Sequence, residues 1–474
     1  MPSRSLVHVL DDVRGGPARR VAGDAAAAVE IVDLTVDSRA VRPGWLFCCV
    51  RGERADGHDF AAEAVAAGAP ALLVERELPV AVPQIVVTNS RAATGWLAAA
   101  VHGHPCDALS MVGVTGTNGK TTTSHLIGSV LRGAGRTVEV LGTLSGAHTT
   151  PEAPDLQRQL AQWRDAGVDA VAMEVSSHAL ALDRVAGARF DVAVFTNLGR
   201  DHLDLHGTVE RYFAAKALLF EPQMAAMAVV NTDDVHGRLL FDSVSIPVVG
   251  FSYDDATDVR VGASSHSYRW RGVDVRVGIG GAFNVMNSLA AATACAAMGI
   301  DERVIADALA VAPPVPGRFE PISAGQDFAV IVDYAHTPDG LREALLAARH
   351  AGGRGQVIVV FGCGGDRDRA KRPEMGATAA ELADRVVITS DNPRSEDPMA
   401  IINATVEGVP EDYRTNVVIE PDRRSAIAAA LRMASEGDVV VIAGKGHEAT
   451  QTIGDQVVPF DDRLVARELL GAPS

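Results

Sequence analysis

Positions 111–123, MVGVTGTNGKTTT, constrain this chain more than any other stretch. An apolar run ending at Val114 gives way to glycines and hydroxyl residues, then to Lys120 and Thr121. That order predicts a buried strand, a tight loop and the first turn of a helix. Such a loop turns backbone N–H groups toward one point at a helix N-terminus, where hydrogen bonding and the helix dipole both favour phosphate. Lys120 is placed to reach the terminal phosphates of a nucleotide, and the Thr121 hydroxyl to hold Mg²⁺. The long P-loop spacing wants glycine five positions before Gly119, where Val114 stands, so this is the shorter G-T-N-G-K-T form. The competing reading is an ordinary turn with a surface lysine. The coincidence of glycines, lysine and three threonines favours the nucleotide.

At 474 residues the chain exceeds what one core organises, and about three domains are expected. With 47% hydrophobic and 22% charged residues it has the composition of a globular protein rather than a disordered one. A formal charge of −17 argues against nucleic acid as a partner, because phosphate backbones need basic surface. It leaves room for an anionic substrate in a local basic cluster. The cysteines (Cys48, Cys49, Cys106, Cys295, Cys363) are odd in number and lack C-x-x-C spacing, which predicts reduced thiols in a cytoplasmic compartment. The N-terminus mixes Arg4, Asp11, Asp12 and Arg14 with short apolar pieces, unlike a signal peptide. No apolar run approaches the ~20 residues of a membrane span, so no membrane partner is expected.

The predicted fold class is α/β in three domains. Residues 1–105 read as a small α/β unit with strands at 31–36, 45–50 and 71–74, a helix over 60–67 and a linker at 103–105. Residues 106–317 form the central P-loop domain. Its short apolar runs at 169–174, 191–195 and 227–230 predict buried strands of a mostly parallel sheet. Such sheets bind ligands at their strand C-terminal ends, where the P-loop, Glu174, Thr196 and Asn197 all fall. Prolines at 313–316 mark the next boundary. Residues 318–474 restart the alternation as a doubly wound unit, with strands at 329–332, 356–361, 385–388 and 438–443.

Several residues could carry chemistry. Glu174 closes an apolar strand, and its carboxylate is either a solvated strand end or a Mg²⁺ contact opposite the P-loop threonine. The segment 197–204 sets His202 among carboxylates, which is either a polar loop or part of a metal site. Lys216 is the one charge among eight apolar neighbours on a predicted helix. Either its stem is buried with the ammonium in water, or burial lowers its pKa and leaves a neutral amine able to take up CO₂ as a carbamate. In the last domain the polar loops at 333–339, 362–369, 391–397 and 444–448 are each compatible with turn chemistry. Together, on one sheet edge, they suggest a ligand crevice. Arg367 and Arg394 suit carboxylates, and Glu448 could accept from an ammonium.

With these motifs assembled, the chain resembles the Mur ligase family of ATP-dependent peptide-bond-forming enzymes. The resemblance covers nearly the whole chain: DSR at 37–39, GTNGKTTT at 116–123, TTPEAPDLQ at 149–157, MEVSSHAL at 173–180, TNLGRDHLD at 196–204, AAKALLF at 214–220, FNVMNSLAA at 283–291, PGRFE at 316–320, DYAHTPD at 333–339, DNPR at 391–394 and GKGHE at 444–448. It implies that the first domain holds a UDP-sugar substrate, the central one ATP and the last an incoming amino acid. By position, Gly116, Thr117, Asn118, Gly119, Lys120, Thr121 and Thr122 would bind ATP, with Asn287, Arg318 and Asp333 as further nucleotide contacts. Lys216 would be the carbamylated lysine, and Thr121, Glu174, His202 and Lys216 the metal-site residues, with Lys120, Lys216 and His202 serving catalysis.

Ser38, Glu53, Arg54, Ala55, Thr149, Thr150, Ser176 and Arg184 align with contacts to the UDP-muramoyl dipeptide. Arg367, Asp391, Asn392, Pro393, Arg394, Gly444 and Glu448 match a pocket for meso-diaminopimelate. Lysine-adding relatives lack the DNPR arginine, and a buried Arg394 left unpaired would penalise lysine. Two departures stand out: Leu182 replaces a frequent glutamine, and the segment 142–148 is short. The implied activity is an ADP-forming ligase of cytoplasmic peptidoglycan synthesis, expected as a monomer. Its competitors are lysine addition, a folate-type polyglutamate ligase, a P-loop NTPase switch and a silent binding protein.

Overall fold

Five strands near the N-terminus, Arg19–Ala22 (β1), Asp33–Thr35 (β2), Trp45–Cys48 (β3), Leu72–Val74 (β4) and Gln84–Val87 (β5), pair in the order β1-β5-β4-β3-β2. The computed structural model describes residues 3–22, 28–52, 55–146 and 148–471, with the side chains of Leu203 and Asp204 left aside. The strand expected over 31–36 is broken at the exposed Val32: Glu30–Ile31 turns away to pair with Arg4–Ser5, and only β2 joins the sheet. Residues 103–105 turn through two successive left-handed residues, Gly103 (φ 66°) and His104 (φ 49°).

The central sheet is wholly parallel. Its strands are Ser110–Thr115 (β6), Val138–Leu141 (β7), Ala170–Glu174 (β8), Phe190–Phe195 (β9), Ala225–Asn231 (β10) and Val248–Phe251 (β11), in the order β11-β10-β9-β6-β8-β7. These strands are apolar along their length because packing covers both faces. On one face the helices Lys120–Gly133 and Phe283–Ala297 bring Leu126, Ile127, Val130 and Leu289 onto Val112 and Val114. On the other, Leu156 and Leu160 of Ala153–Asp165 join Met111, Met173 and Phe190. Strand order puts β8 and β9 on either side of β6, in register Glu174 to Val114 and Phe195 to Thr115.

The parallel-strand reading of 106–317 is incomplete. Thr257–Val261 (β12), His266–Trp270 (β13) and Val273–Val277 (β14) form a separate antiparallel sheet. Its signal is period-two: Tyr268, Trp270, Val275 and Val277 are buried between exposed or half-buried neighbours. Arg271 and Gly272, both at positive φ, make its two-residue hairpin turn.

The C-terminal sheet contains Glu320–Pro321 (β15), Ala329–Asp333 (β16), Val357–Phe361 (β17), Arg385–Ile388 (β18), Val417–Ile419 (β19) and Val439–Ala443 (β20), ordered β15-β16-β20-β17-β18-β19. All but the edge strand β15 are parallel, so the loops after β16, β20, β17 and β18 leave side by side. A hairpin, Thr450–Ile453 (β21) with Gln456–Pro459 (β22), follows. Among the described residues no helix is long and apolar enough to cross a membrane, and all five cysteines are free.

The ends of β18 and β20 are tied by a fully buried ion pair. Arg423 pairs in fork geometry with Asp462 at 2.8 and 2.7 Å, and its Nη2 donates to the Ala443 carbonyl at 2.9 Å. Removing one partner strands a buried charge. Asp462→Ala is therefore expected to destabilise the protein by about 3–5 kcal/mol, whereas the apolar pair Arg423→Met with Asp462→Leu recovers most of it. Denaturant unfolding of the three proteins checks this; equal losses would show that packing, not the charge, is at stake.

Candidate active site

The loop between β6 and the helix Lys120–Gly133 closes on itself and on the end of β9. Thr117 N donates to Asn197 O and Asn118 N to Asn197 Oδ1, each at 2.9 Å, while Thr196 Oγ1 donates to Asn118 O at 2.6 Å. Two glycines are obligatory here. A Cβ on Gly116 (φ 150°) would stand 1.9 Å from Thr196 Oγ1, and one on Gly119 (φ 85°) would stand 2.2 Å from Asn287 Oδ1. The close approach explains why these residues cannot carry a side chain.

Lys120 Nζ donates to the carbonyls of Gly116 (2.9 Å) and Thr117 (2.8 Å). Lys216, on the helix Val209–Ala217, donates to the same Gly116 oxygen at 2.7 Å and lies over the Tyr212 ring, 4.4 Å from its centre. At 1% exposure its ammonium is not in water, so the snorkelling account fails. Burial, and then the neighbouring Lys120 charge, push its pKa well below that of a free lysine. Burial also lowers Lys120.

These groups line a cavity of about 520 Å³. Thr117, Asn118, Gly119, Thr121 and Thr122 form one wall, with Asn287 beside them. Glu174, 1% exposed, presents its carboxylate to Thr143, whose N–H and hydroxyl donate at 2.8 and 3.2 Å. Across the cavity, Arg318 Nη2 donates to Thr121 Oγ1 at 3.1 Å, its guanidinium lies 4.3 Å from the Tyr334 ring centre, and its buried Nε has no partner. Asp333 is held by the amides of Phe319 and Ala335, and burial pushes its carboxyl up. His202 (φ 54°) stands edge-on to His178 with ring centres 4.6 Å apart, and desolvation lowers its pKa. Among the described residues no group of three or more His, Cys, Asp and Glu could hold an ion.

Thr149 and Ser176 reach the cavity from the β8 side. Thr150 lies just behind, donating to Glu174 O at 2.9 Å, and Arg184 Nη1 donates to Thr150 O at 3.3 Å. From there Glu152 pairs with Arg184 (2.9 Å) and with Arg91 (3.4 Å), whose Nη2 donates to the Arg51 carbonyl. Ser38 and Ala55 are apart from the cavity, Glu53 and Arg54 lie outside the described residues, and Leu182 is the half-buried C-cap of Ser177–Ala181.

The remaining candidates gather at the ends of β17, β18 and β20. Asn392 Nδ2 donates to Glu448 Oε2 at 2.8 Å, and the buried Lys445 contacts the same oxygen at 3.2 Å. A Cβ on Gly444 (φ 111°) would meet Asp391 at 2.7 Å. Pro393 is buried and Arg367 exposed. Arg394 (φ 51°) is half-buried rather than buried, and its Nη1 donates to Gly365 O at 2.6 Å, so it is not left without a partner. Loop-to-loop packing supplies that carbonyl, which sequence cannot foresee. Sequence reasoning also missed Tyr212, whose hydroxyl pairs with Thr117 Oγ1 at 3.1 Å, and Lys445; an aromatic four residues before Lys216 was the available signal.

Gly119→Ala is expected to weaken nucleoside triphosphate binding at least about tenfold, through both the left-handed backbone and the Asn287 clash. Equilibrium titration measures it; unchanged affinity would show that the loop does not seat the phosphates.

Residues 114–295 match the Mur ligase middle domain, 317–446 the Mur ligase glutamate ligase domain, and 30–104 the Mur ligase family catalytic domain. The chain is 48% identical over 463 residues to the UDP-N-acetylmuramoyl-L-alanyl-D-glutamate–2,6-diaminopimelate ligase of Geobacillus thermodenitrificans, covering 92% of this chain and 94% of that one. The enzyme of the same name from Streptomyces avermitilis is 45% identical, with 97% of each chain covered. A solved structure of a ligase so named superposes with a TM-score of 0.66 at 33% identity, covering 94% of this chain and 95% of that one. With all three family regions present in order along a fold of this kind, the chain belongs to the Mur ligase family.

Proposed function

We propose that this protein is an ATP-dependent, ADP-forming ligase. It joins meso-diaminopimelate to the D-glutamate side chain of UDP-N-acetylmuramoyl-L-alanyl-D-glutamate, in the cytoplasm, as a monomer. The observation that carries this reading is a single cavity holding the P-loop, Lys216, Glu174 and, across it, Arg318 with an unsatisfied buried Nε. A polyphosphate answers both the paired lysines and that orphan donor. The names of the 42–48% identical relatives support the substrates.

Residues 1–105 would hold the UDP moiety, 106–317 ATP and the acyl end, and 318–474 the amino acid. The substrate carboxylate attacks the γ-phosphorus of ATP, forming an acyl phosphate and releasing ADP. Lys120 offsets the charge that develops on the transferring phosphoryl group. The neutral amine of diaminopimelate then attacks the acyl carbon and phosphate leaves. Arg367 and Arg394 would receive the far carboxylate, and Glu448 an ammonium. Lysine lacks that carboxylate and would forgo the charge-assisted contact to these guanidinium groups. The two clusters sit on different sheets, so domain closure would bring amine and acyl phosphate together.

The donor set around the cavity fits Mg²⁺, which ordinarily takes one or two protein oxygens and completes its shell with phosphate oxygens and water. Thr121 and Glu174, with a Lys216 carbamate and His202 nearby, would hold it, and when bound it neutralises phosphate charge. The buried low-pKa Lys216 amine is suited to CO₂ uptake.

Phosphate release with ATP, Mg²⁺ and the UDP-dipeptide, with meso-diaminopimelate or L-lysine added in parallel, tests the reading. Release should depend on diaminopimelate and yield a product heavier by that residue. Equal use of lysine would sink the specificity, and release indifferent to both would favour an NTPase switch. Lys216→Ala is expected to lower kcat by about 10²-fold or more. It should also abolish a carbamate signal in ¹³C-bicarbonate NMR; a signal persisting in the variant would assign the modification elsewhere.

A further inference from the structure

The loops after β17 and β18 are pressed together, and one carboxylate accounts for much of the contact. Glu396 Oε1 accepts from Asp366 N at 2.7 Å and from Arg372 Nη2 at 2.8 Å, and its Oε2 accepts from Arg372 Nη1 at 3.1 Å. Arg372 is 3% exposed, at the start of Lys371–Leu382, and its Nη2 also reaches Gly364 O at 3.4 Å. Its Nε is buried without a partner, so the pairing with Glu396 is what compensates the burial of this charge. Arg372 holds the Glu396 carboxyl down at about 2, keeping it ionised throughout the neutral range.

The clasp sits where the backbone most needs holding. Asp366 (φ 52°) and Arg394 (φ 51°) are both non-glycine residues in the left-handed region, a conformation that persists where the surroundings over-determine it. Glu396 accepts the amide of the first and lies two residues from the second. Ser395 adds to the contact through its N–H and hydroxyl, which donate to Asp366 at 3.2 and 2.8 Å. The result is visible at Gly364, where a Cβ would lie 3.2 Å from Arg394 Nη1 and 3.8 Å from Arg367 Cγ. The two arginines thus share the space above one glycine.

We infer that Glu396, clasped by Arg372, is a positioning residue for selectivity. It holds the Arg367 loop against the Arg394 loop, so that both guanidinium groups face a substrate with a second carboxylate on its side chain. The inference rests on the amino-acid site proposed above and adds a residue that touches no substrate itself. Fork-to-carboxylate pairing suits the role because it fixes orientation as well as distance.

The test uses the full-length enzyme and the variants Glu396→Ala and Glu396→Gln, with KM measured separately for ATP and for each amino acid. Glu396→Ala should raise KM for diaminopimelate roughly tenfold or more and shrink the diaminopimelate-to-lysine ratio of kcat/KM by a similar factor. KM for ATP should stay within about twofold, because the P-loop is on another sheet. Glu396→Gln keeps the shape and one acceptor for Asp366 N, so it should recover part of the selectivity. It also carries the test alone if Glu396→Ala does not fold. An unchanged ratio, or an equal rise in KM for ATP and diaminopimelate, would overturn the inference and leave Glu396 a structural residue. A parent enzyme with no diaminopimelate-dependent product would instead overturn the site reading beneath it, and this inference with it.

Discussion

Two lysine side chains, the half-buried Lys120 and the buried Lys216, donate to one carbonyl oxygen, that of Gly116. Much of the site follows from this crowding. Like charges held this close repel more strongly where one of them is buried than they would in open water. The strain can be relieved by loss of a proton from Lys216, the deeper of the two, or by an anion arriving in the cavity. A ligand rich in phosphate oxygens and a carbamate on Lys216 are both anions of that kind. The same electrostatic demand thus connects nucleotide binding to the chemistry proposed for Lys216.

The crowding is possible because of strand order. Parallel pairing places Thr115, Glu174 and Phe195 at adjacent strand ends, so the P-loop emerges between a carboxylate and the Thr196–Asn197 pair that cages it. The helix Val209–Ala217 then delivers Lys216 from outside the sheet, with Tyr212 one turn earlier forming the floor beneath its ammonium. In the last sheet the same logic sets the loops after β16, β20, β17 and β18 side by side. The buried Arg423–Asp462 pair there secures the strand ends from beneath.

How much of this was legible depended on how local each signal was. The parallel strands and the P-loop could be read because apolar runs, glycines and Lys120 carry their meaning within a few residues. The antiparallel sheet of β12, β13 and β14 has an equally local period-two pattern, but it lies inside a region whose apolar runs point to parallel strands. The split at Val32 was not legible, since which strand each half joins depends on partners far along the chain. Arg394 was expected to be buried and is half-buried, because its environment is made by the loop carrying Gly365.

By itself the sequence determined the α/β class, the position and form of the phosphate loop and the set of polar loops at strand ends. Each follows from short-range chemistry: hydrophobic runs, turn residues and helix starts. Tertiary structure alone decided that Lys216 meets the Gly116 carbonyl rather than water, that Arg318 crosses to Thr121, and that Glu396 fastens two loops. Those pairings join residues 100, 197 and 30 positions apart, at separations where no local pattern constrains the chain and only packing determines which groups meet.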